Sequence, residues 1–314
     1  MIIKNAANFQ ECFSEKDLYI FSIGYENRSY YLYDYVMKNF PENNVVLFVY
    51  DDYQQFPHTN EIVSKLVDSS ITFYKIDYYK SAEVQEIISK RVSDLIQEND
   101  SITIHIDYSS MPRSWYCKLP VLLGNIIRKT DKVYFWYVEG LYPPSHMEYP
   151  SSGIDSFSFF SGRPSLEIDN NRIHVLSLGY DVIRTQAILS ITDPGYLVSC
   201  FAYDRKRKDL LECIEEVNGP IFARSAMKIS LHLEDFEFMV SKLCEITTEL
   251  LSMGDVILIP DGPKPLIFAM SLIPDLLNKD GITCLHVTRN KECFEPVDVM
   301  PTDVVCGFCI CDKN

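Results

Sequence analysis

Two stretches of the chain match each other closely: IFSIGYE at residues 20–26 and VLSLGYD at residues 175–181. Each is a run of apolar residues that ends in a glycine, a tyrosine and an acidic residue. An almost continuous apolar run of this length is typical of a strand that is buried on both faces, and a terminal glycine permits a tight turn. The match therefore predicts that the same strand and turn occur twice.

Further matches follow these stretches in the same order. The gap from the glycine to the next matched aspartate is 27 residues in the first half and 25 in the second, and the gap from that aspartate to a matched proline is 61 residues in both. Several matches in order, at nearly equal gaps, favour duplication of a whole domain over coincidence. The matched pairs are Gly24 with Gly179, Asp51 with Asp204, Ile106 with Ile259, and Pro112 with Pro265.

Apolar, β-branched runs alternate with helix-like stretches through both halves. Between them, residues 82–96 repeat apolar side chains at helical spacing. Strands that alternate with helices predict a parallel, doubly wound sheet in each half. The predicted strands are 17–24, 45–50, 71–76, 102–106 and 133–138, then 173–178, 197–202, 221–223, 256–259 and 283–287.

The fold class that follows is α/β, with two tandem Rossmann-like domains related by internal duplication. We place the first domain at residues 1–165 and the second at 166–314, because residues 141–164 are rich in proline, glycine and serine and form a long loop. A hairpin strand at 156–160 and a final strand at 304–310 complete the prediction.

The composition limits the partners. The 314 residues include 44 acidic and 29 basic ones, for a net charge of −15 and a pI of about 4.8. Binding to duplex nucleic acid is not expected, because it requires clustered basic residues, whereas a small anionic ligand needs only a few. No signal pattern or 18-residue apolar run is present, and ten cysteines are scattered through apolar runs. We expect a soluble, cytoplasmic protein without a membrane partner.

Ligands of open parallel sheets bind beyond the carboxyl ends of the strands, and that rule selects the candidate site. Backbone N–H groups and serine hydroxyls at a helix start suit phosphate, nearby basic residues add positive charge, and an acidic residue after the second strand suits ribose hydroxyls. An ordinary tight turn or helix cap is the alternative for each position. The candidates are Gly24, Tyr25, Glu26, Arg28, Asp51, Ser109, Ser110 and Arg113 in the first half, and Gly179, Tyr180, Asp204, Asp261, Gly262 and Lys264 in the second.

Right-handed crossovers give the two halves one winding, and the first and fourth strands of such a unit flank the crevice. We therefore expect Gly24, Ser109 and Arg113 to share one cleft. Gly179, Gly262 and Lys264 should share another. Neither a Gly-rich dinucleotide fingerprint nor a P-loop occurs in the sequence, so we predict no cofactor.

One turn resembles a known family. The segment DGPKP at residues 261–265, between predicted strand 256–259 and predicted helix 266–273, is similar to the Gly-Thr-Lys-Pro-type turn of CARF domains, the CRISPR-associated Rossmann-fold sensors of cyclic oligoadenylates. Pro263 stands where that family usually has Thr or Ser, and the first half departs further, with SSMPR at 109–113. The resemblance covers this turn and, loosely, the strand order.

The resemblance implies a ligand pocket shared between two Rossmann units, which those sensors usually form by dimerising and which duplication could supply within one chain. It also implies a nucleotide sensor or regulatory module in a prokaryotic antiviral defence system. Such a module would act with a separate effector protein.

Two other classes of function remain open. The first is an enzyme that acts on nucleosides, nucleotides or sugar phosphates through Glu26, Asp107 and Arg113, although no catalytic triad or metalloprotease motif occurs. The second is a protein-interaction subunit, which the tyrosine-rich stretch at 30–35 would suit if its rings were exposed. Cysteines at 306, 309 and 311 lack a matching second pair, so we predict no metal.

Overall fold

The computed structural model describes residues 1–40, 44–52, 55, 57–67, 73–141, 151–165, 172–290, 292–293 and 297–311, with the backbone alone at 57, 58 and 65–67. The chain forms two compact units. The first unit is Met1–Tyr142 with Pro296–Asn314, and the second unit is Pro143–Glu295.

The first unit contains a seven-stranded sheet in the order β1-β13-β6-β5-β2-β3-β4. The five strands from β6 to β4 are parallel, while β13 runs antiparallel to β6 and pairs with β1 at the edge. The strands are β1 (Ile2–Asn5), β2 (Leu18–Ile23), β3 (Asn44–Tyr50), β4 (Phe73–Ile76), β5 (Thr103–Asp107), β6 (Lys132–Leu141) and β13 (Met300–Cys311). The helices are α1 (Phe9–Cys12), a 3-10 helix (Asn27–Tyr30), α2 (Tyr31–Asn39), α3 (Pro57–Val67), α4 (Ser81–Glu98), α5 (Arg113–Tyr116) and α6 (Leu119–Gly124).

The second unit contains a six-stranded sheet in the order β10-β9-β8-β11-β12-β7, in which only β7 is antiparallel. Its strands are β7 (Ser156–Arg163), β8 (Ile173–Ser177), β9 (Tyr196–Tyr203), β10 (Met227–His232), β11 (Val256–Ile259) and β12 (Ile282–Thr288). Its helices are α7 (Val182–Thr192), α8 (Lys208–Val217), α9 (Gly219–Phe222), α10 (Phe236–Leu250) and α11 (Lys264–Leu277).

The predicted fold class is confirmed, since both units are Rossmann-like and share one order of five parallel strands. The division of the chain differs from the predicted boundary at 165/166. β7 lies before the first parallel strand of the second unit, and β13, at the end of the chain, pairs with β6 of the first unit. Each unit thus receives its antiparallel strand from a segment that the sequence-based boundary assigns to the other half.

One predicted strand is wrong. Residues 221–223 lie in and just after the short helix α9, and the third parallel strand of the second unit is β10. β10 is an edge strand whose residues alternate between buried and more exposed, so it lacks the continuous apolar run that marked the other strands. Gly219 and Pro220 begin α9 in the way that proline often begins a helix.

Three of the matched pairs are also out by one or two residues. The registers of the fourth parallel strands pair Ile106 with Leu258 and not with Ile259. When Gly24 is matched with Gly179, the strand registers pair Asp204 with Asp52 and not with Asp51. The helix that follows the fourth strand starts directly after Pro112 in the first unit and after Pro263 in the second, so Pro112 matches Pro263 by position, not Pro265. Sequence spacing alone does not reveal such one-residue shifts, which exchange the two faces of a strand.

The tyrosine-rich stretch belongs to the core of the first unit. Tyr30 and Tyr33 are buried, and Tyr31 and Tyr35 pack against the same apolar cluster. The Tyr35 ring lies 5.0 Å from the Phe9 ring in an edge-to-face arrangement. These tyrosines pack inside the first unit, so they do not support the alternative prediction of a protein-interaction surface.

Candidate functional site

The candidate site of each unit lies where the strand order reverses. β2 has β3 and β5 as its neighbours, and β8 has β9 and β11 in the same way. A Cβ placed on Gly24 would lie 3.7 Å from Oγ of Ser110, and one placed on Gly179 would lie 2.9 Å from Cα of Gly262. The turns after the first and fourth parallel strands therefore meet in both units, as predicted.

The predicted basic residues stand at the same edge. Arg113 is the first residue of α5, and Lys264 is the first residue of α11. Both helices have proline as the N-cap residue, and proline has no side-chain acceptor for the first-turn N–H groups. The start of the 14-residue helix α11, where partial positive charge accumulates, lies directly beside the turn at Gly179.

In the first unit, the fourth-strand turn is held by its own hydrogen bonds. Ser109 is fully buried, its backbone N–H and its hydroxyl both donate to Oδ1 of Asp107, and its Oγ accepts from the N–H of Val138 at 2.8 Å. The Ser110 hydroxyl donates to the carbonyl of Ser22. Both hydroxyl protons are used within the protein, so neither hydroxyl is left as a donor to a ligand.

Tyr50, which sequence analysis did not select, joins the two turns of the first unit. Its hydroxyl donates to the carbonyl of Ser110 at 2.7 Å and accepts from Oγ of Ser22 at 3.1 Å. Burial raises the pKa of this phenol well above its usual value, so it remains a donor. A Cβ on Gly24 would lie 2.8 Å from the Tyr50 ring, which explains why a glycine is needed at this turn.

Arg28 is a buried cation of the first unit. It donates from Nε to Glu26 at 2.7 Å and from Nη1 to the Tyr137 hydroxyl at 2.9 Å, and its guanidinium lies 5.2 Å from the centre of the Tyr137 ring. Only 1% of its surface is exposed. Arg28 is therefore a buried partner of Glu26 within the turn that follows β2.

In the second unit, the two turns meet through glycine backbone. Gly262 has φ +118°, and a Cβ on it would lie 2.5 Å from the carbonyl oxygen of Leu178. Ser177 ties the turns together, because its Oγ accepts from the N–H of Asp261 at 2.7 Å and donates to the Asp261 carbonyl. No side chain can occupy the space between these turns, which leaves backbone at the edge.

Arg184 is the counterpart of Arg28, and it makes a wider set of contacts. It donates from Nε to the Asp261 carboxylate at 3.1 Å, from Nη2 to the carbonyl of Val287 at 2.8 Å, and from Nη1 to the carbonyl of Gly153. Both charged side chains are buried. Asp261, a predicted ligand residue, therefore serves as the partner of this arginine.

In each unit, the segment just before the antiparallel strand contacts the residues that follow the first parallel strand. This segment is 297–299 in the first unit and 151–155 in the second. In the first unit, Asp298 accepts from the backbone and side chain of Asn27, and the carbonyl of Val299 accepts from the N–H of Arg28 at 3.0 Å. In the second unit, Ser152 donates to Asp181, the residue that caps α7. These contacts were not predicted from the sequence, because each joins distant parts of the chain.

In each unit, the carbonyl of the turn glycine accepts a side-chain hydrogen bond that the sequence did not predict. Thr59 of α3 donates to the carbonyl of Gly24 at 3.0 Å, and Asn218, which follows α8, donates to the carbonyl of Gly179 at 3.0 Å. Both are buried polar residues associated with the helix after the second parallel strand. Their matching role is a structural sign of the repeat that no sequence match revealed.

The acidic and aromatic candidates occupy the outer part of the edge. Asp51 is exposed, whereas Asp204 is buried and accepts from the N–H of Lys206 at 2.8 Å, as a turn cap does. Tyr25 and Tyr180 are half-buried. Asp51 therefore lies at the surface of the first unit, whereas Asp204 is a hydrogen-bond acceptor within the turn that follows β9.

The buried histidines have different surroundings. His105 Nδ1 accepts from the Trp136 indole at 3.1 Å, so Nε2 carries the proton toward Asp17 at 3.0 Å, and burial lowers its pKa. His174 has no hydrogen-bond partner for either ring nitrogen among the described residues, and burial lowers its pKa to about 4. Both are core residues of strands.

The sequence matches no protein-family model, and a search of curated proteins finds no match. Within the described part of the chain, no helix is long and apolar enough to cross a membrane, and no group of three metal-ligating side chains occurs.

Proposed function

We propose that this chain binds a nucleotide-like ligand at the strand-end edge and acts as a sensor or regulatory module for a separate effector. The observation that supports this most is the meeting of Gly179 and Gly262 beside the start of α11. Bare backbone at a helix start, with Lys264 as its first residue, suits a phosphate group.

The same edge of the first unit supplies complementary chemistry. Arg113 begins α5 beside the Gly24 turn, and Asp51 stands exposed after β3. An arginine suits phosphate, and an exposed carboxylate suits ribose hydroxyls. The CARF-like turn at 261–265 adds cyclic oligoadenylates to the ligands that deserve testing.

Binding is favoured over catalysis by the way the acidic residues are used. Asp107 accepts two hydrogen bonds from Ser109, and Glu26 is paired with the buried Arg28. A general acid or base must exchange a proton with substrate, and these carboxylates are instead structural partners of the turns.

The test is a thermal-shift screen of the full chain against the four nucleoside monophosphates and cyclic tri-, tetra- and hexa-adenylate. A ligand at about a hundred times its Kd should stabilise the fold by about 3 kcal/mol. Lys264→Ala should weaken binding about tenfold, as the loss of a charged hydrogen bond does. Lys279→Ala removes the same charge from an exposed site just beyond α11 and should not change binding. Stabilisation by none of these compounds would contradict the proposal.

A further inference from the structure

An aromatic surface extends from the candidate site of the first unit. Tyr50 is fixed between the Gly24 and Ser110 turns by hydrogen bonds at both sides of its hydroxyl. The Tyr78 ring lies 6.0 Å from the Tyr50 ring, and the Tyr79 ring lies 5.1 Å from that of Tyr78. The three rings form a continuous path from the strand-order reversal to the surface beyond β4.

The outer two rings face solvent although they are large. Tyr78 is 43% exposed and Tyr79 is 47% exposed. Their loop is held in place, because the Trp115 indole donates to the carbonyl of Tyr78 at 3.1 Å and the N–H of Tyr79 donates to Oδ1 of Asp77 at 2.8 Å. Exposed rings on a fixed loop can stack on a ligand at little entropic cost.

A hydrogen-bond acceptor lies at the same edge as the rings. The N–H of Asp51 donates to the carbonyl of Ile76 at 3.2 Å, so the end of β3 lies next to the end of β4, two residues before Tyr78. The Asp51 carboxylate is exposed there. The edge offers the positive charge of Arg113, the exposed carboxylate of Asp51 and exposed aromatic rings, which suit the phosphate, ribose and base of a nucleotide.

The matched positions of the second unit carry other residues. With Gly24 matched to Gly179, the strand registers place Ala202, Leu233 and Glu234 at the positions of Tyr50, Tyr78 and Tyr79. Glu234 is paired with Arg205 at 3.3 Å. Both units therefore have the two turns, but at these three matched positions only the first unit has aromatic rings.

Resting on the nucleotide-binding function proposed above, we propose that the first unit holds the nucleobase of the ligand by stacking on Tyr78, with the Tyr79 ring edge-to-face beside it. The Asp51 carboxylate then accepts from the ribose hydroxyls, and the phosphate lies toward Ser110 and Arg113. Stacking on aromatic rings suits every base, because each base has a π-face, and it contributes through contact area more than through specific hydrogen bonds.

The test measures binding of adenosine monophosphate and ribose 5-phosphate by calorimetry to the wild type, Tyr78→Ala, Tyr78→Phe and Tyr74→Ala. Tyr74 is an exposed tyrosine of β4 whose ring lies 5.9 Å from that of Phe48, and it is the matched control. We expect Tyr78→Ala to weaken adenosine monophosphate binding about five-fold to a hundred-fold and to leave ribose 5-phosphate binding unchanged. Tyr78→Phe and Tyr74→Ala should bind both compounds as the wild type does.

Two results would overturn the stacking proposal while leaving the proposed function intact. One is wild-type affinity of Tyr78→Ala for adenosine monophosphate. The other is an equal loss for both compounds in Tyr78→Ala, with a normal denaturation curve, since ribose 5-phosphate has no base. Absence of wild-type binding by every nucleoside monophosphate and every cyclic adenylate would overturn both proposals.

Discussion

The two units place an arginine at nearly the same position but use it differently. Arg28 lies four residues after Gly24 and pairs with Glu26 of its own turn, whereas Arg184 lies five residues after Gly179 and pairs with Asp261 of the facing turn. The first unit closes the gap between its turns with Tyr50, and the second closes it with glycine backbone. Nearly equal sequence spacing thus accompanies two different sets of contacts between the turns of the two units.

The largest expected effect comes from removing the arginine of the second unit. Arg184→Met leaves the buried Asp261 carboxylate and two carbonyls without their donor, which should lower the free energy of unfolding by about 3–5 kcal/mol. Arg28→Met should cost less, because Arg28 donates to one carboxylate and one hydroxyl at short distance, whereas Arg184 donates to a carboxylate and two carbonyls. Chemical denaturation of both variants measures the difference. Equal or reversed losses would contradict this difference between the two arginines.

A second comparison concerns the fourth-strand turns. Gly262→Ala combines a positive φ with a clash against the Leu178 carbonyl, and we expect it to destabilise the protein by about 2–4 kcal/mol. Ser110→Ala, at the register-matched position of the first unit, should cost about 1 kcal/mol for the lost hydrogen bond. Gly219→Ala is the control, since a Cβ there meets nothing within 4 Å. A Gly262→Ala variant as stable as Gly219→Ala would show that the turn can open.

The buried His174 of the second unit should make the protein sensitive to acid. His174 stays neutral in the folded protein until the pH approaches about 4, whereas the unfolded chain binds the proton below about 6.5. Stability is therefore present above pH 6.5 and falls as the pH decreases toward 4, by about 2–3 kcal/mol. His174→Leu should flatten this part of the pH profile. An unchanged profile would mean that His174 does not contribute to the acid sensitivity.

The sequence predicts the strands whose side chains are apolar on both faces, because their burial leaves a continuous apolar run. It does not predict β10, whose exposed face breaks the run, or the pairing of β13 with β6, which depends on where a distant segment returns. At the site, spacing correctly brings Gly179 to Gly262. It does not show that Ser109 is buried, that Asp261 is taken by Arg184, or that Tyr50 joins two turns, because these depend on neighbours that only the fold brings together.

The most direct test of the central claim is hydrogen–deuterium exchange of the full chain with and without saturating adenosine monophosphate and cyclic tetra-adenylate. Ligand at the strand-end edge should slow exchange in peptides that cover residues 24–28 and 109–114, or 179–184 and 262–267, where the turns and helix starts carry the N–H groups. Unchanged exchange in all four peptides, with either compound bound, would contradict the claim that the strand-end turns form the ligand site.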